Sequence, residues 1–218
     1  MTAQEDHFKV HPVAEGCQLE LRAIRLGTPG APLCEFFHPS EYQSEQELED
    51  SFIHRARQLN RHGYSIYTPM NSVRDDYVPD AGKGTNAAAI EKRTKFLVDL
   101  DRKSDKKRPA HDDEITAMEE LADRIVSYLQ EQGWPVPHKV LSGNGYHLYY
   151  PVDLPVNDES EVLVKQTLVA LAAKFNTDEF EIDTVVFDAP RITKVIGTVA
   201  RKGEATLDRP HRLVELIK

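Results

Sequence analysis

The sequence predicts an α/β chain, of the α+β kind, split into two lobes, the second built on an RNA-recognition-like (ferredoxin-like) sheet. Three observations predict it. From Lys95 onward the hydrophobic pattern runs strand, helix, strand–strand, helix, strand, the β-α-β-β-α-β order of that sheet. A shorter β-β-α-β portion precedes it, so residues 17–94 form an N-terminal lobe and 95–218 a second lobe. No Pro/Gly/Ser linker, internal repeat or low-complexity stretch separates them, and 218 residues suffice for two lobes sharing a core.

Taken in order, residues 1–16 lack periodicity and read as a flexible tail. CQLELRAIRL (17–26) alternates Leu19, Leu21 and Ala23 against Glu20 and Arg22, a half-buried strand. The turn-rich LGTPGAP then leads into LCEFFH, which predicts a hairpin. Ser44 with Glu47 three residues on forms a capping box. It opens a helix with Leu48, Phe52, Ile53, Ala56 and Leu59 on one side, closed by Gly63. YSIYTPM (64–70) is a strand, and Asn71–Glu91 a long polar connection of a length often used for function. GKGT within it lacks the spacing of a nucleotide-binding P-loop.

KFLVDLDRK (95–103) follows as a strand, then a helix over 112–132 with a stripe from Ile115 to Leu129 and Gly133 as its stop. PHKVLSGNGYHLYYPV (137–152) reads as two strands joined by Ser-Gly-Asn-Gly. Asp158 with Glu161 resembles a capping box opening a third helix. FEIDTVVFD, ITKVIGT and HRLVELI complete the chain as strands.

The net charge of −9 argues against bulk attraction to nucleic acid, yet the charges are unevenly spread. Residues 102–108 are strongly basic, and Arg191, Lys194, Arg201 and Lys202 occur without an acid among them, which predicts a basic site on an acidic body. The alternative is basic decoration of solvated strand edges. Two cysteines, Cys17 and Cys34, make no disulfide framework, and the start MTAQEDHFKV is no secretory signal, so a cytoplasmic setting is expected. No apolar run approaches the ~20 residues of a membrane span. Cys17 with CEFFH (34–38) offers three zinc donors at irregular spacing and no fourth, so zinc is not expected.

Asp99 and Asp101 share one side of their strand with α-carbons roughly 6.5–7 Å apart. Such a pair can hold divalent cations, and burying it without a cation or basic groups is costly. A strand ending in a solvated turn is the plainer account. In SGNGYHLYY, Gly143 and Gly145 let backbone amides approach an anion, and His147 can bond a phosphate oxygen. An ordinary hairpin with a half-buried histidine explains the same letters. Asp183, among Ile182, Val185, Val186 and Phe187, needs a partner. That partner is either a Lys or Arg on an adjacent strand or a shared metal. Arg191 and Lys194 return near the carboxylates if RITKVIGT is the next strand, as a triphosphate substrate requires. Asn71 and Arg74 face either a ligand or only solvent.

An Asp-x-Asp strand, a Gly-rich turn ending in Tyr-His-Leu, and IDT…RITK…GT together resemble the archaeo-eukaryotic primase superfamily, nearest the primase-polymerases of plasmids, phages and CRISPR-associated systems. LELRAI and YTPMN resemble the N-terminal lobe of that group, so the likeness covers most of residues 17–216. The resemblance implies Asp99, Asp101 and Asp183 as catalytic metal ligands for two Mg2+ or Mn2+ ions. It implies Ser142, Gly143, Gly145 and His147 as nucleotide-binding. It implies Arg191, Lys194 and one of Arg201 or Lys202 as triphosphate contacts, with Asn71 and Arg74 toward the template. The implied activity is nucleotidyl transfer from NTPs or dNTPs on single-stranded DNA, extending primers and, on the wider reading, starting them. No zinc module is present, and nothing after Lys218 matches the helical domain or helicase that many such proteins carry, so an excised catalytic domain of a longer parent is expected.

A catalytically inactive nucleic-acid-binding module of a replication initiator is the alternative, which three phosphate-repelling acids disfavour. A nucleotide cyclase would need no template, and a strand-nicking relaxase would carry the His-x-His that is absent here. Tyr146 and Tyr149 are candidates for sugar contact, with core packing as the other explanation.

Overall fold

Alternation of apolar residues with polar ones sets the two larger sheets of the computed structural model, which describes residues 3–25, 27, 30–80 and 82–217; a third, two-stranded sheet pairs β10 (Val199–Ala200) with β11 (Arg212–Leu213). The first sheet runs β2 (Leu33–Phe37), β1 (Cys17–Ile24), β3 (Ser65–Pro69) and β9 (Ile192–Lys194), with the short β4 (Val73–Arg74) also on β1. The second runs β12 (Glu215–Ile217), β6 (His138–Leu141), β7 (Tyr146–Pro155), β5 (Lys92–Arg102) and β8 (Phe180–Ile182). Every pairing within them is antiparallel. The expected hairpin is present as β1–β2, with Leu21 opposite Glu35. Part of its LGTPGAP connection (Leu26, Thr28, Pro29) lies outside the described residues, as do Met1, Thr2, Ala81 and Lys218.

Strands β5 to β8 take the spatial order β6-β7-β5-β8, which is the ferredoxin-like arrangement, with β12 added at the β6 edge. The aspartate strand β5 is therefore interior, between β7 and β8. Its other side, Phe96, Val98 and Leu100, enters a core with Met118, Leu121 and Ile125 of α3 (Asp112–Glu131) and Leu168 of α4 (Asp158–Phe175). A second core forms from Leu21, Ile66, Leu48 and Phe52, the last two on α2 (Glu45–Arg61).

The helix ends follow local chemistry. Ser44 Oγ accepts the Glu47 N–H, as its spacing predicts. Gly63 and Gly133 take positive φ just past α2 and α3, where a side chain would be strained. α4 is capped one residue earlier than its sequence suggests, by Asn157, whose Oδ1 accepts from Ser160 N–H. Among the described residues, no helix is long and apolar enough to cross a membrane.

Three expectations change. FEIDTVVFD is a strand only to Ile182, then a turn that leaves Val185 exposed. ITKVIGT does not return to the second sheet: β9 pairs with β3, Lys194 opposite Tyr67, so a late strand completes the first sheet. Nor are the first residues a loose tail. Ala3–Val10 form α1, with His7, Phe8 and Val10 buried. Phe8 joins the α2 core, while Val10 joins the core of the second sheet, so this one helix ties both lobes together. The helix is short, and one of its three buried residues is His7, which carries no hydrophobic signature.

Phe8→Ala is expected to lower the unfolding free energy by about 3 kcal/mol, measured by urea denaturation. An unchanged urea midpoint would return residues 3–10 to the status of a tail.

Candidate active site

Three strands bring the acids together through their register. Asp99 and Asp101 project from the same side of β5. β8 lies antiparallel to it with Leu100 opposite Ile182 and Asp101 opposite Glu181. One residue further, Asp183 N–H donates to the Asp99 carbonyl at 2.8 Å, which sets Asp183 beside Asp99. On the other flank His147 of β7 is paired with Asp99. Residues directly opposite in an antiparallel pair share a side. Asp99, Asp101, Asp183, Glu181 and His147 therefore belong to one side of the sheet.

Each carboxylate has a protein partner. His147 Nε2 stands 3.4 Å from Asp99 Oδ1. Asp101 Oδ2 faces Lys202 Nζ at 3.4 Å, and its Oδ1 accepts from Arg102 N–H at 2.8 Å. Asp183 Oδ1 accepts from Val185 N–H at 2.9 Å, and Glu181 pairs with Lys106. With the side chains so turned, no three His, Cys, Asp or Glu groups among the described residues are arranged to hold a metal ion.

The field at the centre is that of crowded like charges in partial burial. Burial pushes the Asp99 carboxyl up to about 7, helped by the Asp101 and Asp183 charges and opposed by Lys194 and Lys202. Burial, and then Lys194, hold His147 down at about 3, so its ring is neutral. Lys194 itself is lowered by burial and partly restored by Asp99 and Asp101. It reaches this centre from the other sheet, so the positive and negative halves come from different lobes.

The Gly-rich turn is packed against the end of β5 and the strand β10 (Val199–Ala200). A Cβ on Gly145 would stand 2.0 Å from the Leu100 carbonyl oxygen, and one on Gly143 2.3 Å from Ala200 Cβ. Both glycines are thus accounted for by close chain approach. Ser142 is buried and closes the turn by donating its N–H to Gly145 O at 2.9 Å.

Other expected site residues are occupied elsewhere. Arg191 is paired with Asp188 and donates to Val185 O, holding the 183–191 turn. Arg201 donates to the Asn60 carbonyl at 3.2 Å, so of the adjacent basic pair Lys202 is the one at the aspartates. Asn71 is buried, with Oδ1 accepting from the Thr94 and Lys95 N–H groups at the β5 bulge and Nδ2 donating to Ala189 O. Its amide is committed to the fold rather than to a template. Arg74 pairs with Asp76 at 3.1 Å on the surface. Of the two tyrosines, Tyr146 is buried with its hydroxyl near Glu119. Tyr149 points its hydroxyl at His147 Nδ1, 2.9 Å away.

Sequence reasoning missed Glu181, and it named Tyr149 only for sugar contact, not as the partner of His147. The first was legible: Glu-x-Asp at 181–183 repeats the period-two signature of Asp-x-Asp.

The fold so described is similar to that of a solved primase. The chain is similar to the crystal structure of primase RepB′, with a TM-score of 0.51 and 15% identity over 99% of this chain. It spans 55% of that primase's length. Weaker likenesses are to the catalytic domain of primase RepB′ in complex with initiator DNA and to the polymerase domain of Mycobacterium tuberculosis ligase D in complex with DNA. The first has a TM-score of 0.49 at 15% identity, covering 99% of this chain and 82% of that one. The second has 0.47 at 18%, covering 96% and 80%. No protein-family model and no curated protein matches the chain.

Because Asp99 titrates higher folded than unfolded, its proton stabilises the fold below about pH 4, and that contribution is lost as pH rises through about 7. In metal-free protein, the stability advantage of Asp99→Asn over the unsubstituted chain is expected to grow across that window. Urea midpoints measured in steps between these limits check it, and parallel curves would show a carboxyl that titrates normally.

Proposed function

We propose that this chain is a DNA-template-dependent nucleotidyltransferase, a primase-polymerase that joins NTPs or dNTPs to a primer 3′-hydroxyl and also starts primers. The observation that carries the reading is the meeting of Asp99, Asp101 and Asp183 on one side of the sheet, with Lys194 and Lys202 reaching them from separate segments. Acids that bound only nucleic acid would repel its phosphates. Acids interleaved with lysines suit a triphosphate and the cations that accompany it.

The residues fit Mg2+ or Mn2+. Three acids meet two lysines in a partly buried place, so the group keeps a net negative charge that divalent cations would offset. Asp99, Asp101 and Asp183 are the residues that would hold them. When bound, such ions supply activation of the 3′-hydroxyl and charge neutralisation on the triphosphate.

The chain's own groups do the rest. Lys194 and Lys202 attract the triphosphate and oppose its charge as pyrophosphate departs. Neutral His147 offers a hydrogen bond to a phosphate oxygen. The packed turn at Gly143 and Gly145 keeps His147 fixed on its strand, so little reorganisation accompanies binding. Single-stranded DNA template and primer are the proposed macromolecular partners, with a helical or helicase domain in a longer parent protein.

Primer extension on single-stranded DNA with Mg2+ or Mn2+, run with each nucleotide type and with and without a primer, tests this. Asp101→Ala is expected to cut incorporation at least about 100-fold, the scale of losing a main transition-state charge contact, while the thermal midpoint moves little. Full incorporation by that variant would remove the acid from the chemistry.

A further inference from the structure

Tyr149 lies beside the proposed centre and touches neither acid nor lysine. It is buried on β7, two residues beyond His147, and its hydroxyl is 2.9 Å from His147 Nδ1. The opposite ring nitrogen, Nε2, is the one turned toward Asp99 at 3.4 Å. Behind the phenol, Thr193 of β9 places a buried hydroxyl near Tyr149 that has no hydrogen-bond partner within bonding distance among the described residues. His11, just past α1, packs edge-on against the Tyr149 ring with centroids 5.2 Å apart. His7 and His11 stand 5.1 Å apart in turn, so an unbroken row of rings runs from α1 to Asp99.

A neutral imidazole has one N–H and one lone pair, and the bond made by one nitrogen decides the role of the other. Were the proton on Nδ1, it would point at Tyr149, and the Nε2 lone pair would confront a carboxylate that must be ionised to bind a cation. Two lone-pair faces would then repel in a buried place. With the proton on Nε2, both contacts agree: Tyr149 donates to Nδ1, and Nε2–H faces Asp99. Burial raises the phenol above its ordinary range, so the donor proton is retained at neutral pH.

We propose that Tyr149 is a positioning residue that fixes His147 as its Nε2–H tautomer, giving the site a hydrogen-bond donor aimed at Asp99 and at the substrate phosphate. The substrate half of this rests on the nucleotidyltransferase reading, whereas the tautomer itself does not. α1 belongs to the same arrangement, because His11 holds the Tyr149 ring from the side that faces away from the acids. A structural tyrosine would serve with any hydroxyl orientation, and here the orientation is the point.

Long-range 1H–15N NMR of the metal-free protein, recorded well above the Asp99 value of about 7 so that its carboxylate is ionised, tests it, with the His147 signals assigned by their loss in His147→Gln. The expected spectrum shows His147 protonated on Nε2 with Nδ1 unprotonated and hydrogen-bonded. Tyr149→Phe, which keeps the ring and deletes only the hydroxyl, is expected to lose the hydrogen-bonded Nδ1 signature. It is also expected to raise the nucleotide KM about tenfold, with affinity for single-stranded DNA unchanged. A proton on Nδ1 in the unsubstituted protein overturns the proposal, and that spectrum decides even if the variant does not fold. Identical spectra for the two proteins overturn it as well. A shifted spectrum with an unchanged nucleotide KM removes the link to substrate. If no variant and no unsubstituted protein incorporates nucleotide, the polymerase reading fails, and the NMR result still decides the role of Tyr149.

Discussion

The pairing register of β5 carries the site. With Asp99 opposite His147 on one flank and hydrogen-bonded to Asp183 on the other, every charged group of the centre emerges on one side. A slip of one residue would turn Asp99 and Asp101 into the core beneath α3 and α4 and bring Val98 and Leu100 out. That core is closely filled: Val98, Leu100, Leu121 and Ile125 are essentially inaccessible. Two carboxylates there would lack any partner, at a cost far beyond the net stability of an ordinary domain. The packing on one side of the sheet therefore guarantees the chemistry on the other.

Around that register, each lobe supplies one sign of charge. The ferredoxin-like sheet holds the acids, and the first sheet, through β9, lends Lys194. Lys202 comes from the segment just after β10. Neither lobe is electrostatically complete alone, which is why α1, bridging both cores, matters more than its eight residues suggest. Its one imidazole, His7, is held neutral by burial at about 3, so it fills buried space without adding charge.

Much of this was legible in the residues because the determinants are local. The Asp-x-Asp alternation, the α2 and α3 stripes and the Gly stops all express themselves within one or two turns or strands. The order of elements then constrained the second sheet to its observed topology. What escaped depends on remote partners. Nothing in ITKVIGT says that it pairs with β3, since any apolar strand would read alike. Arg201 and Lys202 are neighbours whose opposite directions follow from the path after β10, and that path is set by contacts with Ser65 and Asn60. Asn71 looks like a polar loop residue because its three backbone partners lie on β5 and near Ala189, far along the chain. α1 was hidden by its shortness and by the polarity of His7, one of the side chains it buries.

The joining of β3 to β9 also has a bearing on synthesis. A ribosome delivers β3 well over a hundred residues before β9, and contacts so distant in sequence close slowly, after the local ones. The acids of β5 can meet His147 while translation is still under way. The β9 lysine they face arrives only afterwards, so a nascent chain that stops short of β9 holds its carboxylates without that counter-charge.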